Sequence, residues 1–425
     1  MNSIHNSILF SLLIIGSSYF YNRHLTLMSE ITMSSLQEKQ NHVESPAYWS
    51  GVFAMTLCVF ALIASEFMPV SLLSPIAADL KITEGMAGQG IAISGAFAVI
   101  TSLSISRLAG GINRKILLLI LTMIMAVSGA IVALAQSYTI YMIGRALIGM
   151  VIGGFWSMSV AMAMRLVPSA QVPRALAIFN SGNALAMVIA APLGSYLSSI
   201  IGWRGAFFSL VPVAILVLIW QWISLPSMPV TSEPTENRPS IVALLRNPVV
   251  MIGMLAVSLF FMGQFSLYTY VRPFLETVTQ VNISTLSLIL LGIGVMGFIG
   301  TSVINTVLKR GFYITLIAIP IMMAVIAVTL IFLGTWPVVV AVLLGIWGFL
   351  GTAAPVGWWN WLARTLPNDA EAGGGLMVAV VLLAIALGST LGGVLFDHSG
   401  YQATFIVSAI ILVIAAILTS RLTTK

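Results

Sequence analysis

The sequence predicts an all-α polytopic membrane protein, with twelve spans arranged as two six-helix bundles. Three observations carry that expectation. Of the 425 residues, 59% are hydrophobic and 7% charged, against about 45–50% apolar and about 25% charged in soluble domains. With 18 Lys and Arg and 12 Asp and Glu, the chain cannot cover a soluble surface of its size. Second, the apolar residues gather into runs near the roughly 20 residues that cross hydrocarbon as a helix. Runs such as Ile116–Leu134 are apolar on every side, whereas a lipid-facing barrel would alternate over about ten residues. Third, landmarks recur: Pro75 and Pro273 stand 198 residues apart, as do Gly202 and Gly400, while Arg165 and Arg364 stand 199 apart.

The elements follow in order. Residues 1–48 read as a cytoplasmic N-terminal segment. Its Ile8–Phe20 run is 13 residues, short for a span, and lacks the basic flank of a secretory signal. Met28 is a better chain start, so residues 1–27 read as an over-extended frame. The first bundle, 49–224, holds spans near 50–74, 87–108, 116–135, 138–162, 175–197 and 205–224. A polar linker, 225–247, carries the stretch SLPSMPVTSEPTENRPS. The second bundle, 248–420, holds spans near 248–270, 284–306, 312–333, 338–361, 372–395 and 401–420, and 421–425 form a cytoplasmic tail.

Basic residues orient the spans. Fourteen of the 18 Lys and Arg fall at one side, among them Arg107, Arg114, Lys115, Arg165, Arg174, Lys309, Arg310 and Arg364. Only Lys81, Arg204 and Arg272 mark the other side. The positive-inside rule places both termini and the linker in the cytoplasm.

Two charges remain well inside spans. Glu66 is the only acid there, and an ionised carboxylate facing lipid costs about 2.5–3.5 kcal/mol. It should face the protein interior or water, either to carry a proton or bind solute, or to make a structural ion pair or a helix-packing hydrogen bond. Arg145 is the only deep base, and the topology gives both residues a depth of roughly 10–12 Å. Arg145, Gly149 and Gly153 form an i, i+4, i+8 stripe, so the arginine either locks the packing of its helix or acts on the carboxylate or solute. Phe155, Trp156 and Trp358 offer rings for stacking, and Asn180, Asn183 and Gln264 offer amides; packing and interface roles compete for each. Tyr268 and Tyr270 read equally as gate or belt residues. Pro192 and Gly194 mark a bend with small neighbours.

These residues carry a resemblance. SEFMPVSLLSPIAADL, IGRALIGMVIGGFWSMSVAMAMRLVP, AAPLGSYLSSIIGWRGAFF and PVGWWNWLARTLP resemble the drug and metabolite proton-antiporter group of the major facilitator superfamily. Within it the chain looks most like the bacterial purine ribonucleoside efflux pumps. The resemblance implies a major-facilitator-type fold that exchanges internal purine nucleosides, such as inosine and guanosine, for external protons across the bacterial inner membrane. It makes Glu66 the proton-coupling candidate, Arg145 an interior charge partner or gate, and 190–194 the antiporter-associated bend. The family's loop motif after span two, GxLxDRxGRK, stands here as SRLAGGINRK: Gly110 replaces the acid, and Arg114 and Lys115 remain.

Other classes fit poorly. Export of sugars, small metabolites or drugs by the same fold is the main alternative. An uncoupled facilitator has Glu66 against it. No phosphate-binding GxxxxGK[ST] loop occurs, which disfavours ATP-driven transport. The sole cysteine, Cys58, and four scattered histidines give no disulfide, metal site or catalytic cluster, so neither an enzyme nor a cofactor is expected. The two-half repeat disfavours a channel or scaffold. The bilayer is the chain's solvent; the +6 net charge lacks a basic cluster for nucleic acid, and no obligate protein partner is implied.

Overall fold

The computed structural model describes residues 47–108, 111–168, 171–229, 244–366 and 370–422. The 8–20 run, Met28, Gly110 and most of the linker lie outside these residues. Every long element among the described residues is a helix. In the first half these are α1 (Trp49–Phe67), α2 (Leu73–Leu80), α3 (Glu84–Leu108), α4 (Arg114–Ala133), α5 (Tyr138–Leu166), α6 (Val172–Phe208) and α7 (Leu210–Ser224), with a 3-10 turn (Met68–Ser71) after α1. The second half has α8 (Pro248–Tyr268), α9 (Val271–Thr277), α10 (Ile283–Arg310), α11 (Phe312–Leu333), α12 (Pro337–Thr365) and α13 (Ala370–Ser420).

Helix starts follow local chemistry. Asn113, Asn247 and Asn282 each accept a backbone N–H from the first turn they precede, at 3.0, 3.0 and 2.8 Å. Pro248 and Pro337 occupy first-turn positions, where no intrahelical donor is needed.

Ten stretches are long and apolar enough to cross a membrane. Two of them, Arg174–Ser224 and Gly373–Ser420, are 51 and 48 residues long. As single helices each would run roughly 70 Å or more, over twice the ~30 Å hydrocarbon core. Each is broken by a glycine in left-handed backbone, Gly202 at φ 75° and Gly400 at φ 77°, where a side chain would be strained. The neighbours show that the chain turns back. Before Gly202, Gly194 lies against Ser71 beyond the end of α1; after it, the Ser224 hydroxyl meets that of Ser50, at the start of α1, at 2.8 Å. The ten stretches therefore make twelve crossings.

One face carries the basic residues. Arg174 lies 5.2 Å from the Trp49 ring, and Arg364 lies 4.0 Å from the Phe312 ring. Across this face the start of the linker is pinned to the first half. Asn113 donates to Ser227 at 2.8 Å and accepts from the Met228 N–H at 3.1 Å, while Arg165 donates to the Pro229 carbonyl at 2.8 Å. The opposite face is stapled by Arg204, which pairs with Asp79 at 2.5 Å and donates to the Ala135 carbonyl. Each half has its own apolar core. Leu62, Leu121, Ile148 and Phe155 centre the first, and Phe260, Trp347, Leu412 and Met323 centre the second. The halves meet where α3 lies along the limb of α13 before Gly400 and where α6 lies along α10.

Candidate functional site

The site begins with a broken helix. Proline has no N–H, so Pro69 cannot donate to the carbonyl of Ser65 four residues earlier. α1 ends at Phe67 and tightens into the 3-10 turn, leaving acceptors at the bend. Arg145, wholly buried on α5, fills them: Nη1 donates to the Ser65 carbonyl at 2.8 Å and Nη2 to the Glu66 carbonyl at 3.3 Å. Its Nε donates to the Gly90 carbonyl of α3 at 3.0 Å, and Nη2 also reaches the Ser94 hydroxyl at 3.2 Å. One guanidinium thus ties α1, α3 and α5 together.

The glycine stripe explains how Arg145 gets so close. A Cβ at Gly149 would stand 2.2 Å from the Ser94 carbonyl oxygen, and one at Gly153 2.1 Å from that of Ala98. Both neighbours are backbone, so only glycine lets α5 lie this near α3. Tyr141, one turn before Arg145, extends the same face and donates to the Ala87 carbonyl at 3.3 Å.

Glu66 is 7% exposed in the last turn of α1. Arg145 bonds its backbone; the ion pairs among the described residues are Arg204–Asp79 and Arg272–Glu276. Its carboxylate takes no hydrogen bond from the described residues. Beside it, the Phe67 ring meets Phe265 of α8 at 6.0 Å, so the bend adjoins the seam between the halves. Gln264, 8% exposed, has a buried Oε1 with no partner, and its Nε2 lies against Gly351 of α12. Tyr268, partly buried, packs edge-on to Phe265 at 5.9 Å.

Arg145 and Gly194 therefore meet the bend that carries Glu66, and Tyr268 packs on Phe265 beside it, whereas Gln264 faces Gly351 within the second half and the other candidates lie elsewhere. Asn183 neighbours Gly182, which packs on Thr56, ten residues before Glu66 and roughly 15 Å along the helix. Asn180 is exposed and donates to the Leu176 carbonyl at 3.1 Å. Phe155, 1% exposed, and Trp358, 2% exposed, sit inside the cores of their halves, while Trp156 is partly exposed beside Phe155. Tyr270 is fully buried, donates to the Ser389 carbonyl at 2.8 Å, and stacks on Phe396 at 5.3 Å. Pro192 lies within α6, and a Cβ at Gly194 would come within 2.8 Å of Ser71 Oγ, so this part of α6 packs on the 3-10 turn. Arg114 and Lys115 open α4 on the basic face, where the Arg114 N–H donates to the Met228 carbonyl at 3.0 Å. Among the described residues, no three His, Cys, Asp or Glu side chains are grouped to hold a metal.

Two residues at the seam were not singled out by the sequence: Arg272, with Glu276 at the helix-pairing distance i+4, and Asp397, an acid at the end of a span.

Residues 55–374 match the Major Facilitator Superfamily profile. The chain belongs to the Major Facilitator Superfamily. This member is a multi-pass membrane transporter of small molecules, not an enzyme. It is 64% identical over 391 residues to "Transcription regulatory protein OpdE" of Pseudomonas aeruginosa, covering 92% of this chain and 97% of that one. It is 40% identical over 369 residues to the purine ribonucleoside efflux pump NepI of Salmonella enteritidis, covering 87% and 92%. The fold matches the crystal structure of the nucleoside transporter NupG at TM-score 0.74 and 14% identity, covering 88% of this chain and 98% of that one. It also matches a bacterial homologue of the human lysosomal transporter Spinster, captured inward-facing and unoccupied, at TM-score 0.68 and 16% identity, covering 89% and 98%.

Proposed function

We propose that this superfamily member exports purine ribonucleosides such as inosine and guanosine, exchanging them for protons across a bacterial inner membrane. The observation that carries the coupling is Glu66: the acid that the sequence sets well inside a span, at a bend beside the seam, its carboxylate unbonded by the described residues. A carboxylate so placed alternates between two states. Protonated, it is neutral and tolerates burial; ionised, it requires water or a cation. Rocking of the first bundle, 49–224, against the second, 248–420, would present it to each side in turn. Arg145 holds the bend that carries Glu66 and keeps a fixed positive charge behind it.

The substrate assignment rests on the 40% identity to NepI over 87% of the chain. The chemistry near the seam suits it: Tyr268, partly buried, offers a ring and a hydroxyl beside Phe265, and behind them the buried Gln264 Oε1 has no partner of its own. Sugars, small metabolites or drugs are the second reading, favoured by the same rings and amide. With the basic face cytoplasmic, both termini are cytoplasmic.

The test is transport. Oriented vesicles carrying the purified protein are offered labelled inosine, guanosine, adenosine, arabinose and a cationic drug under an imposed proton gradient. Proton-driven movement selective for purine nucleosides is expected. Nucleoside flux no greater than in empty vesicles rejects the substrate, and gradient-driven flux of arabinose or the drug instead selects the second reading.

A further inference from the structure

Two charged side chains of the second half grip the first half at the face opposite the basic one. Asp397, exposed near the end of the α13 limb that precedes Gly400, reaches the start of α3. Its Oδ1 accepts the Gly85 N–H at 2.9 Å and its Oδ2 accepts the Thr83 hydroxyl at 2.6 Å. Thr83 Oγ1 in turn accepts the Met86 N–H at 3.1 Å. A helix start leaves N–H groups without intrahelical partners and carries partial positive charge, so an anion there is stabilising. Here that anion comes from the other bundle, 314 residues from Thr83.

Deeper in the seam, Arg272 is 4% exposed. Glu276 holds its Nε at 2.7 Å, and its Nη1 donates to the Ser71 carbonyl. Ser71 closes the 3-10 turn that follows Glu66. The bend is therefore held at one end by Arg145 from its own half and at the other by Arg272 from the opposite half. Between the two grips the seam is tight: a Cβ at Gly88 would stand 2.2 Å from the Tyr270 hydroxyl.

We propose that Asp397 and Arg272 are the two arms of a latch that holds the bundles shut on this face, with Arg272 a positioning residue that ties its opening to the bend after Glu66. Rocking cannot open this face while either arm is bonded. Once α3 and α13 part, water can take over the freed N–H and carbonyl groups, so the latch is reversible, as a face that opens in every cycle requires. Arg145 bonds groups of its own half and has no such contact to release. The inference rests on the alternating-access part of the proposed function and not on the identity of the solute.

The test reads access to the seam without substrate. Cys58, the only cysteine, is replaced by serine, and Thr390→Cys places a thiol in the seam, where Thr390 bonds Gln89 at 3.1 Å. The full chain is purified in detergent and labelled with a bulky hydrophilic maleimide, with thermal unfolding reporting that each variant is folded. Asp397→Ala and Arg272→Gln should each raise the labelling rate about tenfold, the equivalent of ~1.4 kcal/mol in the opening equilibrium. Thr83→Ala should add nothing to Asp397→Ala, because the two share one bond. Arg272→Lys should return the rate toward that of the parent, since lysine can still donate to Ser71; a merely space-filling role would not predict that recovery. If Arg272→Gln does not fold, Glu276→Gln, which loosens the same arginine, must raise the rate. A rate within about twofold of the parent, or below it, for either arm overturns the latch. Failure of nucleoside transport would leave this result standing.

Discussion

Two buried arginines hold the same bend, and the difference between them separates a fixed joint from a movable one. Arg145 and Arg272 are 0% and 4% exposed, and both donate to carbonyls freed where α1 breaks. Arg145 draws its acceptors from α1 and α3 and sits on α5, all within one half. Arg272 comes from the other half and is steadied by a carboxylate four residues on. A bond inside a bundle persists while the bundles rock; a bond between bundles must break. The placement of the acceptor, rather than the residue type, decides whether a buried charge is scaffold or switch.

Breaking the fixed joint should have the largest effect. Arg145→Met leaves the Ser65, Glu66 and Gly90 carbonyls without that donor, and at about 1–3 kcal/mol for each unsatisfied group the protein should lose more than ~3 kcal/mol. Thermal unfolding in detergent reads this as a large fall in midpoint. Arg145→Lys should recover little of it, because an ammonium lacks the planar fork that spans four acceptors. A variant of near-normal stability would mean that the bend does not need the arginine.

The next effect tests how the joint is reached. Gly153→Ala drives a methyl into the Ala98 carbonyl and should cost about 1–3 kcal/mol as α5 is pushed from α3. Gly292→Ala, with open space at its Cβ, should change stability by less than about 0.5 kcal/mol. Equal effects at the two sites would remove close helix approach as the reason for the stripe. Least affected should be Asp79→Asn. Its partner Arg204 has a side chain 35% exposed and keeps the Ala135 carbonyl, so the loss should stay below about 1 kcal/mol. That outcome would grade the arginines by burial, with the half-buried Arg204 weakest.

Much of this architecture was legible in the residues. Scarce charge and long apolar runs gave the helices. The Gly202 and Gly400 repeat marked the two reversals, because left-handed backbone needs glycine and glycine is visible in sequence. Equal depth was legible for Glu66 and Arg145; the bend where Arg145 donates to the Glu66 carbonyl was not. Their mode of contact was harder to see, although its cause was written at Pro69, four residues after Ser65. The rotation of helices about their own axes was not legible. α5 and α12 are apolar on nearly every side, so nothing in their pattern tells that Phe155 and Trp358 turn into the cores. Arg272 and Asp397 stand at span ends, where a charge reads as an ordinary membrane boundary. Only the crossing of α3 and α13, more than 300 residues apart in sequence, gives Asp397 its partner.

The central claim is that Glu66 carries the proton. Its most direct test is Glu66→Gln in vesicles, comparing nucleoside accumulation driven by a proton gradient with exchange of nucleoside for nucleoside in its absence. Glutamine keeps the shape and the uncharged state of the side chain but cannot release a proton. Gradient-driven accumulation should vanish while exchange persists. Full gradient-driven accumulation by the variant would contradict the account and place the coupling elsewhere.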